Sequence, residues 1–153
     1  MPEKITPDLL IERKVDHAIE GGERVPRWGW PTPRSYNGAT GEERIAGWKK
    51  VAVARNLDLL PRSVKCEVCR VRDANGSHTE IYHRCMTTKP ICRSCHFKVH
   101  KRFQKPERWL AFIETMPAAD WVYALLTREL SRAEMLKVAR APDVFAALQM
   151  MKL

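Results

Sequence analysis

The stretch ICRSCHFKVH, residues 91–100, places two cysteines and two histidines within ten residues. Cys92 and Cys95 have two residues between them, and His96 and His100 lie four apart directly behind them. Two-residue spacing lets both sulfurs of a cysteine pair reach one ion on a tight turn, and structural zinc sites take four ligands. The stretch therefore indicates a metal site, and it raises the question whether all four side chains serve one ion.

A second cysteine pair supports a zinc site made of thiolates alone. Cys66 and Cys69 have the same two-residue spacing, and 22 residues separate the two pairs. In a reducing compartment such pairs indicate metal ligands before disulfides. We therefore expect one structural Zn²⁺ held by Cys66, Cys69, Cys92 and Cys95.

Helix geometry assigns the two histidines to a different site. The residues after Cys92 predict a helix, and neighbouring residues on a helix differ by about 100° in direction. Cys95 and His96 therefore cannot point at the same ion. Side chains four apart on a helix project from one face about 6 Å apart, so His96 and His100 can bind one ion together. With His83, which follows a predicted strand, they suggest two ligands of a divalent ion and one general base.

The segment between the cysteine pairs predicts a hairpin. Asn75-Gly76 is the preferred pair for a two-residue type I′ turn, which would join strands at about 70–74 and 77–82. The resulting order is a cysteine turn, a hairpin, and a helix whose first turn carries the second cysteine pair. That order resembles a treble-clef zinc finger.

The same residues resemble a family of nucleases. C-x-x-C, a histidine after a strand and C-x-x-C-H-x-x-x-H, over about Cys66 to Arg102, look like the zinc-containing HNH (His-Me finger) endonucleases. The resemblance implies hydrolysis of DNA phosphodiester bonds, with His83 as the base that activates water. It implies that His96 and His100 hold one catalytic divalent ion, Mg²⁺, Mn²⁺ or Ni²⁺. It also implies a basic helix lying against the DNA backbone, through Arg93, Lys98, Lys101 and Arg102.

The charge distribution fits a polyanionic partner. The chain carries a net charge of +9, and residues 62–108 contribute +8 of it, with twelve basic and four acidic residues. Such a concentration of basic residues is typical of nucleic-acid binding. The resemblance to HNH endonucleases implies DNA before RNA. Two alternatives to a nuclease stay open. One is a non-catalytic treble-clef protein that binds nucleic acid, and the other is an adaptor that binds a protein partner through its C-terminal helices.

Three segments are expected along the chain. Residues 1–61 are expected to form N-terminal helices and a Pro/Trp/Arg-rich arm. Residues 62–105 are expected to form the zinc-binding ββα module, and residues 106–153 a helical C-terminal segment. A helix should begin at a capping box made by Thr40 and Glu43. The arm's aromatic residues could stack on bases, or they could pack the arm onto the core. The expected fold class is α+β, mainly helical, with a small ββα core flanked by helices.

The chain's hydropathy predicts no membrane segment. No apolar run approaches the roughly 20 residues of a membrane span, and the N-terminal sequence lacks the pattern of a signal peptide. We therefore expect a cytoplasmic protein without a membrane partner. The sequence does not indicate an oligomeric state.

Overall fold

The fold is mixed α+β and mainly helical, as the sequence predicts. The computed structural model describes residues 5–62 and 65–153, so Ser63 and Val64 of the expected zinc module lie outside the described residues. A short 3₁₀ helix, Tyr82–Thr87, lies between the two strands. The α-helices are α1 Pro7–Glu20, α2 Gly41–Asn56, α3 Arg93–Lys101, α4 Pro106–Glu114, α5 Asp120–Ala124, α6 Arg132–Ala139 and α7 Val144–Met150, and the strands are β1 Gly76–His78 and β2 Lys89–Ile91.

The described residues divide into two compact units that interleave along the sequence. The first unit runs up to Pro61 and also contains Thr79–Thr88 and Leu130–Pro142. The second unit consists of Arg62–His78, Lys89–Glu129 and Asp143–Leu153. The segment between β1 and β2 therefore belongs to the first unit, while both strands belong to the second.

In the first unit, α1 and α2 pack around a small apolar core. Helix α2 begins at the predicted capping box: the Glu43 N–H donates to Thr40 Oγ1 at 3.2 Å, and the Thr40 N–H donates to Glu43 Oε2 at 2.8 Å. Lys50 of α2 reaches Glu12 and Asp16 of α1 at 3.0 Å each. The buried apolar residues of this core are Val15, Val51, Val53, Ala54, Cys85 and Met86.

A buried arginine joins distant parts of the first unit. The Arg84 side chain, in the 3₁₀ helix, is 3% exposed and pairs with Asp8 at 2.7 Å. Its guanidinium also donates to the carbonyl oxygens of Ala139, at 3.0 Å, and Ala141, at 2.6 Å. Although burial opposes the effect, hydrogen bonds from Arg84 and Thr6 lower the pKa of Asp8 below its ordinary value of 3.8. The arginine thus ties the start of α1 and the end of α6 to the 3₁₀ helix.

In the second unit, the strands pair differently from the predicted hairpin. β1 pairs antiparallel with β2, with Gly76 opposite Ile91 and His78 opposite Lys89. Asn75 makes no hairpin turn; its side-chain Oδ1 instead accepts a hydrogen bond from the Arg93 N–H at 2.9 Å, in the first turn of α3. The predicted hairpin was wrong because the local turn preference of Asn-Gly is outweighed by pairing with a strand more distant in sequence.

The core of the second unit surrounds the cysteines. It consists of Cys66, Val68, Ile91, Cys92, Cys95, Val99, Trp109, Ile113, Trp121, Val122 and Leu125. In the described part of the chain, no helix has both the length and the apolar character needed to cross a membrane.

Replacing Arg84 tests the connections in the first unit. Arg84→Met should lower the free energy of unfolding by about 3–5 kcal/mol, because it leaves the Asp8 carboxylate and two carbonyls without their partner. The measurement is urea unfolding at pH 7, with Arg13→Met, an exposed arginine of α1, as the matched control. A loss below about 1 kcal/mol would contradict the role given to Arg84. The difference from wild type should narrow as the pH falls below 3.8, because protonated Asp8 no longer pairs.

Candidate metal centres

Four cysteine sulfurs converge in the second unit. The sulfurs of Cys66, Cys69, Cys92 and Cys95 all lie within 4.8 Å of one another. Four sulfurs around a tetrahedral zinc, each about 2.3 Å from the ion, lie about 3.8 Å apart. The cluster therefore has the donor type, number and spacing of a structural zinc site, as the sequence predicts.

The local backbone directs N–H groups at these sulfurs. Residues 65–73, called the knuckle below, close on themselves through a bridge between Lys65 and Asp73. Within the knuckle the Val68 N–H donates to Cys66 Sγ at 3.4 Å. At the start of α3 the Cys95 N–H donates to Cys92 Sγ at the same distance. Such donors stabilise negatively charged sulfur, so both turns are suited to thiolate ligands.

The pKa values of Cys69 and Cys95 are shifted in opposite directions. Burial opposes ionisation of Cys69, but hydrogen bonds from the backbone of Arg72 and Val71 lower its pKa to about 7. Burial raises the pKa of Cys95, and the neighbouring Cys92 and Cys66 raise it further. A divalent cation favours the thiolate form of every ligand, and for that reason metal binding at such a site contributes to folding.

Three histidine side chains form a second group in the same unit. The ring nitrogens of His78, His96 and His100 lie within 4.8 Å of one another. Nε2 of His96 and Nε2 of His100 are 3.0 Å apart. Two imidazoles bound to one tetrahedral zinc place their nitrogens about 3.3 Å apart, from metal–nitrogen distances of about 2.0–2.1 Å. The nitrogens of His96 and His100 thus already lie close to the separation that one transition-metal ion requires.

The angular positions on α3 explain why the two groups are separate. Cys95, Val99 and Arg102 are buried and define the inner side of the helix and its C-cap. His96 and His100 are half-buried, and they lie about 100–140° around the helix from Cys95. One helix therefore supplies ligand atoms to both groups from different sides.

His78, the last residue of β1, completes the histidine group. Its side chain is buried, and its ring lies nearly parallel to the Trp121 indole, with centroids 6.1 Å apart and planes at 16°. Trp121 Nε1 donates to Glu67 Oε1 at 2.9 Å, and Glu67 lies between the two knuckle cysteines. Glu67 also receives a backbone hydrogen bond from Ala119 at 2.9 Å. A short chain of side chains therefore links the two candidate centres.

The structure places His83 elsewhere. His83 is in the 3₁₀ helix of the first unit, where its Nε2 lies 3.1 Å from Glu43 Oε1. Among the described residues, the three-histidine group contains His78 and not His83. The sequence expectation missed His78 because it placed this residue near the start of a hairpin strand. A histidine at the end of a strand was the right signal, but the strand's end was misplaced by four residues.

The predicted nucleic-acid residues do not share one environment. Arg93, Lys98 and Lys101 are exposed. Lys98 Nζ lies 4.1 Å from the centre of the Phe112 ring. Arg102, in contrast, is fully buried, with its guanidinium donating to the Leu126 carbonyl at 2.6 Å. Arg102 therefore holds the main chain of the second unit together and is not on a surface that nucleic acid can reach.

Removing one cysteine ligand tests the zinc site. Cys66→Ser should reduce bound zinc below one equivalent and unfold the second unit, because ligand binding supplies folding free energy there. Metal analysis together with circular dichroism measures both effects. Cys85→Ala is the matched control, since Cys85 lies outside the cluster and burial raises its pKa to about 12. If Cys66→Ser keeps a full equivalent of zinc and its fold, the assignment fails.

The backbone of Arg70 offers a second test of the knuckle. Arg70 directly follows Cys69 and has a φ of 57°, a left-handed conformation that costs an L-residue about 1–2 kcal/mol. Arg70→Gly should relieve this cost, but glycine also has more conformational entropy to lose on folding. The net effect should be a rise of about 0.5–1 kcal/mol in the free energy of unfolding of the zinc-loaded protein. Arg72→Gly, at the next exposed arginine of the knuckle, should not stabilise the protein. Stabilisation by both changes, or by neither, would contradict the argument.

Comparisons of this chain with protein-family models, with curated proteins and with solved structures found no match.

Proposed function

We propose that this protein is a metal-dependent endonuclease, similar to the HNH enzymes, that hydrolyses phosphodiester bonds in DNA. One zinc ion at the four cysteines holds the fold, and a second divalent ion is bound by His78, His96 and His100. The observation that carries the proposal is the three-histidine group, two of whose members lie on α3, the helix that also carries Cys95 of the cysteine cluster. A zinc site with a purely structural role needs no second set of converging imidazoles.

The order of elements supports a treble-clef core. The knuckle, the β1–β2 pair and α3 follow one another, and the knuckle joins β2 through a hydrogen bond from the Glu67 N–H to the Pro90 carbonyl at 3.1 Å. The difference from a simple hairpin is that residues 79–88 depart from the strands and fold with the first unit. In this arrangement His78 takes the position at the end of the first strand that the resemblance had given to His83.

The donor set favours particular metals. Three imidazoles suit Zn²⁺, Ni²⁺, Co²⁺ and, more weakly, Mn²⁺, whereas Mg²⁺ prefers oxygen ligands and octahedral coordination. We therefore expect activity to follow the affinity order of nitrogen ligands, with Mg²⁺ the least effective of the ions that the resemblance suggests.

The histidines would hold the ion in their neutral form. Three protein ligands leave a position for water or substrate in a four-coordinate site, which distinguishes a catalytic site from a closed structural one. When bound, the ion supplies Lewis-acid polarisation of a phosphoryl oxygen. His78 is 1% exposed, which suits a ligand better than a base that must reach water. Stacking on Trp121 fixes the orientation of its ring, so that the ligand set is preorganised.

Basic side chains beside the histidines would bind the substrate. On α3, Arg93, Phe97 and Lys101 are exposed and lie on the side of the helix that continues from the two histidines. The positive charges of Arg93 and Lys101 would neutralise phosphates next to the reacting bond. A reducing location such as the cytoplasm would keep the cysteines available to zinc.

The exposed residues Arg93, Phe97 and Lys101 of α3 also favour a second function. Phe97 is 64% exposed between Arg93 and Lys101, and Lys101 Nζ lies 5.4 Å from the centre of its ring. A basic and aromatic surface of this kind can bind nucleic acid without any hydrolysis. The second candidate is therefore a non-catalytic zinc-finger protein that uses the same helix.

Plasmid nicking by single variants decides between the two. Wild-type protein should nick supercoiled plasmid with Mn²⁺, Ni²⁺, Co²⁺ or Zn²⁺. His78→Ala should lower the rate by more than about 100-fold, because loss of even an outer partner of a metal ligand costs about 10- to 100-fold. His83→Ala is the matched control and should keep its activity. Calorimetric titration should show that His78→Ala loses the second metal while retaining one zinc.

Two other outcomes of the nicking assay would contradict the nuclease proposal in different ways. Loss of nicking in His83→Ala, with His78→Ala active, would return the catalytic role to His83 and overturn the assignment. The absence of nicking with every metal, together with salt-sensitive DNA binding, would establish the non-catalytic candidate.

A further inference from the structure

The arm of the first unit, residues 24–36, has an unusual composition. Its sequence, RVPRWGWPTPRSY, contains three arginines, two tryptophans and three prolines, and no acidic residue. The structure describes every residue of the arm, and it places most of them in neither helix nor strand. The arm thus combines positive charge and aromatic rings on irregular backbone.

One side of the arm is fixed to α2 through an aromatic pair. Trp28 meets Trp48 of α2 edge to face, with ring centroids 5.1 Å apart and planes at 80°. Trp28 Nε1 also donates to the Pro31 carbonyl at 3.3 Å, which closes a tight loop over residues 28–31. This tryptophan therefore packs the arm onto the first unit.

The other side of the arm is fixed at the start of α2. A Cβ added to Gly41 would overlap the Pro33 carbonyl oxygen, so the arm passes directly over this glycine. Arg44 Nη1 donates to the Arg34 carbonyl at 2.6 Å. The residues between the two attachments, Gly29 to Thr32, are therefore held in a defined conformation without being covered.

Trp30 lies in this held segment and faces water. Its side chain is 71% exposed, although tryptophan is among the residues that gain most from burial. Arg27 and Arg34, on either side of it in sequence, are exposed as well. Trp28 therefore attaches the arm to α2, whereas Trp30 presents an exposed aromatic ring that two exposed arginines flank in sequence.

We propose that the arm is a binding surface for single-stranded nucleic acid, in which Trp30 stacks on a base while Arg27 and Arg34 contact phosphates. Stacking needs an exposed base face, which a duplex conceals and a single strand offers. The acid-free composition favours a polyanion over a protein partner. Because the arm is already held at both sides, little ordering entropy opposes binding. The proposal extends the proposed function by naming a nucleic-acid form, but it does not require hydrolysis at the histidines.

Oligonucleotide binding tests the proposal in the zinc-loaded full chain with no second divalent ion added, so that cleavage does not enter. The probe is fluorescently labelled oligo(dT), followed by anisotropy at low salt. Trp30→Ala should weaken binding by about 5- to 150-fold, the loss expected for one stacked base, whereas Trp30→Phe should lose much less. Arg27→Gln should lower the log–log salt slope by about 0.7, the value for one phosphate contact on a single strand. Met150→Ala, which alters an equally exposed apolar side chain in the second unit, is the control.

Several results would overturn the proposal. Unchanged oligo(dT) affinity in Trp30→Ala would do so. An equal loss of affinity for a DNA duplex of the same length would also overturn it, because stacking of Trp30 on an exposed base predicts a loss confined to single strands. If Trp30→Ala loses binding to a protein partner and keeps its affinity for oligo(dT), the arm is a protein-binding surface and the proposal is wrong. Since Trp30 is exposed, thermal unfolding of Trp30→Ala should match wild type. Nicking assays do not enter this test, so failure of the nuclease proposal and failure of this one are distinguishable.

Discussion

The angular spacing of residues on helix α3 is the constraint on which the rest of the second unit depends. Cys95 and His96 are neighbours in sequence, and about 100° of rotation separates them. Cysteine ligands consequently point to the buried side of the helix, where the knuckle supplies the other two sulfurs. The histidines point to its flank, where β1 supplies a third imidazole. A single helix thus holds the two candidate metal centres in a fixed position relative to each other.

The side-chain link between the two candidate centres predicts that zinc at the cysteines would do more than stabilise the fold. Glu67 in the knuckle holds the Trp121 indole, and Trp121 stacks on His78. Loss of zinc would release the knuckle and, with it, the support of one histidine. The affinity of the histidine group for metal should therefore depend on an intact cysteine cluster. In other metal sites, too, side chains that support a ligand raise the affinity for the metal.

Short-range features of the fold could be predicted from the sequence, and pairings over longer distances could not. The capping box at Thr40 and the helix after Cys92 follow from local spacing and are confirmed. The four cysteines expected to share one ion do lie close together. The Asn75-Gly76 turn failed because strand pairing depends on partners that local preference does not reveal, and this error also displaced the third histidine from His78 to His83. The burial of Arg102 was equally hidden, since a basic residue on a basic helix gives no local sign that its guanidinium satisfies buried carbonyls.

We propose that α3 contributes ligands to two metal sites of different chemistry. Anomalous scattering from crystals grown with zinc and soaked in Co²⁺ or Ni²⁺ tests it most directly. We predict two peaks per chain, one about 2.3 Å from the four cysteine sulfurs and one about 2.0–2.1 Å from nitrogens of His78, His96 and His100. A single peak at the cysteines, with no density among the histidines at millimolar metal, would contradict the claim.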